Sequence, residues 1–256
     1  MKILLLDIET QPMNVQAWGL WDKFIPVDRI LTPGYTACFA AKWLGEKEIH
    51  FHRVSGAVGS KEFKRSQKAM VKAAYALVNE ADAVVHYNGT RFDMPTLNQE
   101  FMLQGFGPPA PYANIDLLKT ARKQFRLPSN KLNYVAKVLG LGSKTKHKGL
   151  EMWNECAAGD EKAWRHMEKY NKQDVKLLEQ VYKKLLAWIP NHPNYGIYNN
   201  ADRPTCNRCG STHVISRGKA RTTTQVYPRF SCAKCGGWLR GKVNETPNRE
   251  NILVGI

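Results

Sequence analysis

Apolar and polar positions alternate along this chain in two periods, and the switches between them mark out its elements. The apolar run Ile3–Leu6, continued through Asp7, Ile8 and Glu9, predicts a strand over Ile3–Glu9 covered on both faces. Residues 35–43 (Tyr-Thr-Ala-Cys-Phe-Ala-Ala-Lys-Trp) and 48–54 (Glu-Ile-His-Phe-His-Arg-Val) flank Leu44-Gly45-Glu46-Lys47, the pattern of an antiparallel hairpin. Residues 61–80 place Phe63, Met70, Ala74, Leu77 and Val78 at helical spacing, and Ala83–Tyr87 reads as a short buried strand. A helix is predicted from near Pro95 to just before Gly105, and another between an N-cap at Ser129 and a stop at Gly140. The last long helix spans about 160–189, with Trp164, Met167, Leu178, Val181, Leu185 and Ile189 on one stripe and Pro190 ending it. The expected organisation is an α/β domain over 1–190 and a Pro/Asn/Gly-rich linker over 191–204. A compact cysteine-bearing unit over 205–240 and a tail over 241–256 complete it.

Composition adds a partner. With 256 residues and a 43% hydrophobic fraction, a core forms without disulfides. No apolar run approaches the ~20 residues that cross a bilayer. Ile3–Leu6 is too short for a signal-peptide core, so the expectation is a soluble, unexported, cytoplasmic protein without a membrane partner. Lys and Arg number 38 against 22 Asp and Glu, a net charge of +16 that draws the chain to polyanions, ordinarily nucleic acid. Of six cysteines, Cys38 and Cys156 stand alone in partly apolar surroundings and are expected to be buried free thiols. The other four form two Cys-x-x-Cys pairs.

Candidate chemistry lies in the acids. Asp7 and Glu9, two apart on a strand, point to the same face. Asp93 follows the strand at 83–87 within Asn88-Gly89-Thr90-Arg91-Phe92-Asp93, where it reads equally as an N-cap for the helix at Pro95. Asp174 falls in register with Leu178, Val181 and Leu185, and an ionised carboxylate in such a stripe costs several kcal/mol unless paired or metal-bound. Tyr170 lies one turn earlier on the same face. Four converging carboxylates repel one another unless divalent cations neutralise them. Two Mg²⁺ or Mn²⁺ ions ~3.5–4 Å apart clamp the attacking and leaving oxygens of a phosphodiester.

Asp7-Ile8-Glu9-Thr10, Asn88-x-x-x-Phe92-Asp93 and Tyr170-x-x-x-Asp174 together resemble the three motifs of the DnaQ-like 3′–5′ exonucleases. They resemble the DEDDy branch, since Lys169 stands where the histidine branch needs its His. The resemblance covers roughly residues 1–189. It implies a ribonuclease H-like mixed sheet flanked by helices, with Asp7, Glu9, Asp93 and Asp174 as ligands of two Mg²⁺ or Mn²⁺ ions and Tyr170 positioning the water. The hairpin at 35–54 is similar to the exonuclease domains of family B DNA polymerases. Ile115-Asp116-Leu117 is similar to a segment between the second and third motifs, where Asp116 is expected to be structural. No polymerase domain follows, so the resemblance implies a free-standing nuclease, similar to those of bacteria and their phages, in the host cytoplasm if phage-encoded. DNA is favoured over RNA as substrate, and partners among replication or repair proteins are left open.

Cys206-x-x-Cys209 and Cys232-x-x-Cys235, each followed by glycine (Gly210, Gly236), suit one tetrahedral structural Zn²⁺. His213–Ser216 and Gln225–Ser231 read as a hairpin between them, and the whole resembles a zinc ribbon, a unit too small to fold unstapled. Residues 201–256 carry ten Lys and Arg against three acids. Candidate nucleic-acid contacts are Asn88, Arg91 and Phe92 beside the second motif, and Arg217, Arg221, Arg229 and Trp238 in the ribbon, with the alternative that the ribbon aromatics fill its own core. Lys144, Lys146 and Lys148 with His147 form a second candidate stretch. Two other functions stay open: a structure-selective endonuclease or RNase on the same fold, and a nucleic-acid-binding protein without catalysis. The complete acidic set argues against the last.

Overall fold

The run at residues 3–6 becomes the middle of a sheet. In this computed structural model, which describes residues 1–19, 21, 24–142 and 148–255, β1 (Ile3–Gln11) is the central strand of five. Its first residues, Ile3 to Leu6, are all buried, as a strand covered on both faces requires. A small two-stranded arm follows, β2 (Asn14–Val15) with β3 (Ile30–Thr32). β4 (Tyr35–Trp43) and β5 (His50–Arg53) form the expected antiparallel hairpin. Helix α1 (Lys61–Glu80) begins at Ser60, whose hydroxyl accepts from the Phe63 N–H at 3.0 Å. Its buried face is Phe63, Met70, Val71, Ala74 and Val78.

β6 (Ala83–His86) returns parallel to β1, and α2 (Asp93–Leu103) leads to β7 (Ala113–Asp116), parallel to β6. Then come α3 (Leu117–Gln124), α4 (Leu132–Val138), α5 (Leu150–Ala157) and the long α6 (Glu161–Leu185). The sheet order is β5-β4-β1-β6-β7, mixed because β4 runs against β1 while β6 and β7 run with it. The pleat sorts the core: Leu4, Leu6, Ile8, Ala37, Phe39 and Ala41 cluster with residues of α1 and α2.

Two expectations at helix starts are corrected. Ser129 is not the N-cap of α4; Lys131 occupies that position without a side-chain cap, and Ser129 Oγ accepts from the Lys131 N–H at 3.3 Å. Gly140 does end the helix, in a left-handed conformation at φ 70°. The N-cap of α2 is Phe92, and Asp93 is already the first helical residue.

The chain divides into two compact units, residues 2–181 and residues 182–256 with Met1. In the second, Tyr182 Oη and His192 Nε2 share a hydrogen bond at 2.7 Å, and the segment after Pro190 carries the short α7 (Tyr195–Tyr198). A three-stranded antiparallel sheet follows, β8 (Val214–Arg221), β9 (Val226–Cys232) and β10 (Trp238–Arg240), in the order β10-β9-β8. Beyond β10, Thr246 Oγ1 accepts from the Val226 N–H at 2.7 Å. Lys144, Lys146 and His147 lie outside the described residues; Lys148 is exposed and pairs with Glu151 and Glu155. Among the described residues no helix is long and apolar enough to cross a membrane.

Candidate active site and metal centres

β1 outruns its parallel neighbour. Pairing with β6 stops at Leu5 and Val85, so Asp7 and Glu9 stand beyond the carboxyl end of β6, still held on their other side by β4 opposite Ala40 and Cys38. Such strand ends are where open α/β sheets place their sites. Helix α6 crosses this face. Lys42, two residues from Ala40 on β4 and so on the same face, forms a nearly buried ion pair with Glu179 of α6. Asn171, fully buried on α6, donates from Nδ2 to Asp7 Oδ2 at 2.6 Å and to the Asp7 carbonyl at 3.3 Å. Asp174, 1% exposed, lies three residues further on. One carboxylate oxygen each from Asp7, Glu9 and Asp174 fall within 4.8 Å of one another.

Asp93 is not one of that group of three, but it is anchored between its first two members. Its Oδ1 accepts from the Ile8 N–H at 3.2 Å, and the residue is 4% exposed. The turn that delivers it is tightly built. Asn88 takes a positive φ of 72°, and its carbonyl accepts from the N–H groups of Arg91 and Phe92. Asp116 holds the turn from below, accepting from Asn88 N–H at 3.0 Å and Thr90 N–H at 3.4 Å while capping α3 through Leu118 N–H. This is the structural part expected of it. His86 Nδ1 accepts from the Gly89 N–H at 2.9 Å, so its Nε2, 2.7 Å from Asn114 Oδ1, carries the ring proton. Burial lowers the His86 pKa, in keeping with a neutral ring.

Tyr170 is buried on α6, its ring edge-on to Trp153 at 6.2 Å between centroids. From Asp7 an open cleft of about 530 Å³ runs past Asn88 and Tyr87 to Arg122, the loop 128–131 and the start of α4. Tyr87 donates from Oη to the Asn130 carbonyl at 2.6 Å, and burial pushes its phenol up to about 12, so it stays a neutral donor. Arg91 and Phe92 are exposed on the turn and Asn88 is half-buried at its start. Cys38 and Cys156 are free and buried; burial raises both thiols, and at Cys38 the charges of Glu9 and Asp7 add to it.

Three features of this neighbourhood escaped the sequence reading. Asn171 and Glu100 are buried polar residues on helices; Glu100 accepts from the Thr36 N–H at 3.1 Å and from Gln67 Nε2 at 3.3 Å. The third is the His86–Asn114 pair beneath the turn. A signal existed for Asn171, since it lies four residues after Met167 and three before Asp174, inside the stripe meant to be apolar.

A family model described as RNase_H superfamily matches residues 43–186, more than half of the chain. The chain belongs to the ribonuclease H superfamily. No curated protein matches it. Its mixed five-stranded sheet flanked by helices is the ribonuclease H-like fold. Members of this superfamily are typically nucleases that use divalent metals, which makes nucleic acid the substrate class. The match takes in Asp93, Tyr170 and Asp174 but begins after Asp7 and Glu9, and it is β1 that completes the acidic group.

The donor sets of this ribonuclease H-superfamily protein suit two kinds of ion. Oxygens around one hard cation with bonds of roughly 2.0–2.6 Å lie up to about 4–5 Å apart, the spread seen for Asp7, Glu9 and Asp174. In the second unit Cys206, Cys209, Cys232 and Cys235 gather with Sγ–Sγ separations of 3.6 Å for the pairs 206–235 and 209–232. A tetrahedron with Zn–S bonds of about 2.3 Å has edges of about 3.8 Å. Gly210 and Gly236, at φ 69° and 74°, turn the chain after each pair, where a side chain would be strained. Burial raises the Cys209 and Cys235 thiols; at Cys232 it is outweighed by the N–H groups of Cys235 and Lys234, which bring that thiol to about 7. This cluster is compatible with the expected zinc ribbon.

Proposed function

We propose that this protein is a metal-dependent 3′–5′ exonuclease of the DnaQ-like DEDDy type, hydrolysing phosphodiester bonds of nucleic acid, with DNA favoured over RNA. The observation that carries the reading is the meeting of Asp7 and Glu9 with Asp174, far apart in the chain, within 4.8 Å at the end of the central strands. Carboxylates that close repel unless a cation lies between them. The order of the three motifs along the chain and the presence of Tyr170 on α6 support the DEDDy type.

In this reading Asp7, Glu9, Asp93 and Asp174 hold two Mg²⁺ or Mn²⁺ ions, which when bound activate water and neutralise charge on the phosphodiester. Asp93 takes its place through the Ile8 amide, so its carboxylate moves with the strand that bears the first two acids. Asn171 fixes the rotamer of Asp7 by donating to one of its oxygens. The Tyr170 phenol orients the attacking water. Asn88, Arg91 and Phe92 contact the substrate strand at the mouth of the cleft. Residues 1–190 act as the nuclease domain, and residues 205–240, stapled by one structural Zn²⁺, as an accessory ribbon.

Digestion of end-labelled DNA and RNA oligonucleotides with Mg²⁺, with Mn²⁺ and with chelator tests this. A 5′ label should yield a ladder shortening one nucleotide at a time, and chelator should stop it. Discrete internal products would replace the exonuclease with an endonuclease on the same fold. Inertness on every polynucleotide, with either metal, would end the reading.

A further inference from the structure

The sheet of the C-terminal unit has two unlike faces, and strand register sorts their residues. Trp238 is opposite Ser231 and Arg240 opposite Arg229 between β10 and β9, while Ile215 is opposite Ser231 between β8 and β9. Opposed residues share a face, as do residues two apart on a strand. One face therefore carries Tyr227, Arg229, Ser231, Trp238, Arg240 and Ile215. The register shift between Ser216 and Lys219 keeps Arg217 on it: Arg217 Nε donates to Ser231 Oγ at 3.2 Å, and the Arg217 carbonyl accepts from Arg229 Nε at 2.9 Å. The other face presents Pro228, Phe230 and Leu239 to a groove also lined by Ile197 and Val243, and edge strand β10 brings Trp238 and Arg240 to the rim of the same groove.

The first face alternates cations with aromatic rings. The Arg229 guanidinium lies over Trp238 at 5.2 Å and that of Arg240 over Tyr227 at 4.2 Å. Trp238 is 60% exposed, so it is not a core residue of the ribbon, whereas Tyr227 is nearly buried. The acids of residues 201–256 are Asp202, Glu245 and Glu250, and none is on these positions of the sheet; Glu245 pairs with Lys219. Lys219 and Arg221, opposite Pro228 and Val226, belong to the other face, so Arg221, a contact expected from the sequence beside Arg217 and Arg229, is not on the same surface as they are. Arg217 and Arg229 are each held by a hydrogen bond from Nε, and the two terminal amino groups of a guanidinium form the fork that grips a phosphate.

We infer that this face is a platform for single-stranded nucleic acid, on which a base stacks on Trp238 while Arg217, Arg229 and Arg240 hold the flanking phosphates. The inference rests on nucleic acid being the substrate, as proposed above, but not on hydrolysis. A single strand fits because its bases are free to stack and its phosphates follow one another along a flat basic surface. A duplex offers no such ring face.

The experiment uses the full chain carrying Asp174→Asn to prevent turnover, with zinc content and thermal unfolding checked for each variant. Fluorescein-labelled oligothymidylate, oligouridylate and a duplex of equal length are titrated over a range of salt. Trp238→Ala should weaken single-strand affinity roughly tenfold, with Trp238→Phe recovering most of it. The combined Arg217→Ala, Arg229→Ala and Arg240→Ala change should lower the salt slope by about 2, near 0.7 per lost phosphate contact. Lys219→Ala with Arg221→Ala, removing charge from the other face, should change affinity less than twofold. If the triple variant misfolds, the triple Arg→Lys form keeps the charges and should keep the slope while losing affinity. Losses that track charge removed from either face, a preference for duplex, or unchanged binding in the Trp238 variant would each overturn the platform. Because binding is read without cleavage, an inert wild type leaves this result standing. A wild type that cleaves while these variants bind normally removes the platform alone.

Discussion

Asn171 has no charge, yet it holds the first acid of the site, Asp7. Its amide reaches both the side chain and the carbonyl of Asp7, so it fixes strand and rotamer together. Asn171→Ala should reduce activity or metal affinity about 10- to 100-fold, as loss of a supporting partner does, with calorimetric Mn²⁺ titration reading the affinity directly. Unchanged binding of Mn²⁺ and unchanged rate would show that Asp7 orients itself. A second expectation concerns His86. Its folded pKa is depressed by burial, so the unfolded chain takes up the proton first as pH falls. Its contribution is fully present above about pH 6.5 and is lost as pH drops below that value. His86→Gln should flatten the acid side of the stability profile measured by urea unfolding between pH 7 and 5, and an unaltered profile would remove His86 as the cause.

At the scale of elements, the turn between β6 and α2 depends on one missing side chain. A Cβ at Gly89 would stand 2.4 Å from the His86 ring. Gly89→Ala should therefore cost about 1–3 kcal/mol in chemical denaturation and move the start of α2, with Asp93, away from Ile8. A change near zero would mean that the ring can give way. Elements with long periodic patterns were legible from sequence. The apolar run of β1, the hairpin β4–β5, the stripe of α1 and the stripe of α6 all appear where the pattern puts them. The pieces that were not read are short: β2, β3 and β10 have two, three and three residues, β7 and α7 four each, and α3 and α5 eight each. So few residues hold too few apolar positions to define a period, and tertiary contacts decide them. The N-cap of α4 was misplaced because Ser129 bonds a backbone N–H two residues on without entering the helix. Asp174 was legible because it breaks an apolar stripe, and Asp7, Glu9 and Asp93 because they fall in order in motifs at strand ends. Asn171 breaks one too, but an uncharged amide costs less to bury than a carboxylate, so it is the weaker signal.

For the whole molecule, the two units owe their stability to different physics. Residues 2–181 bury a continuous apolar core on a five-stranded sheet, whereas the second unit has a small sheet gathered around four thiols. A strong chelator should melt the second unit and leave the first folded, so calorimetry should lose or lower one transition only. Simultaneous loss of both would show that the units unfold as one. On the proposed reading the division also separates two kinds of metal dependence. Depletion of Mg²⁺ should halt hydrolysis with the fold intact, and depletion of Zn²⁺ should remove structure.

The smallest side chains beside the acids carry a consequence of their own. Asp7 and Glu9 lie opposite Ala40 and Cys38, two narrow residues on the sheet face that α6 crosses. A bulkier neighbour at either position would prop the helix away from the strand and spread the three oxygens. Mg²⁺ needs bonds of about 2.0–2.1 Å and Ca²⁺ accepts about 2.3–2.6 Å, so on the proposed reading a spread site should favour the larger cation. In the proposed metal site, the choice of ion should then follow Ala40 and Cys38, side chains that never touch an ion.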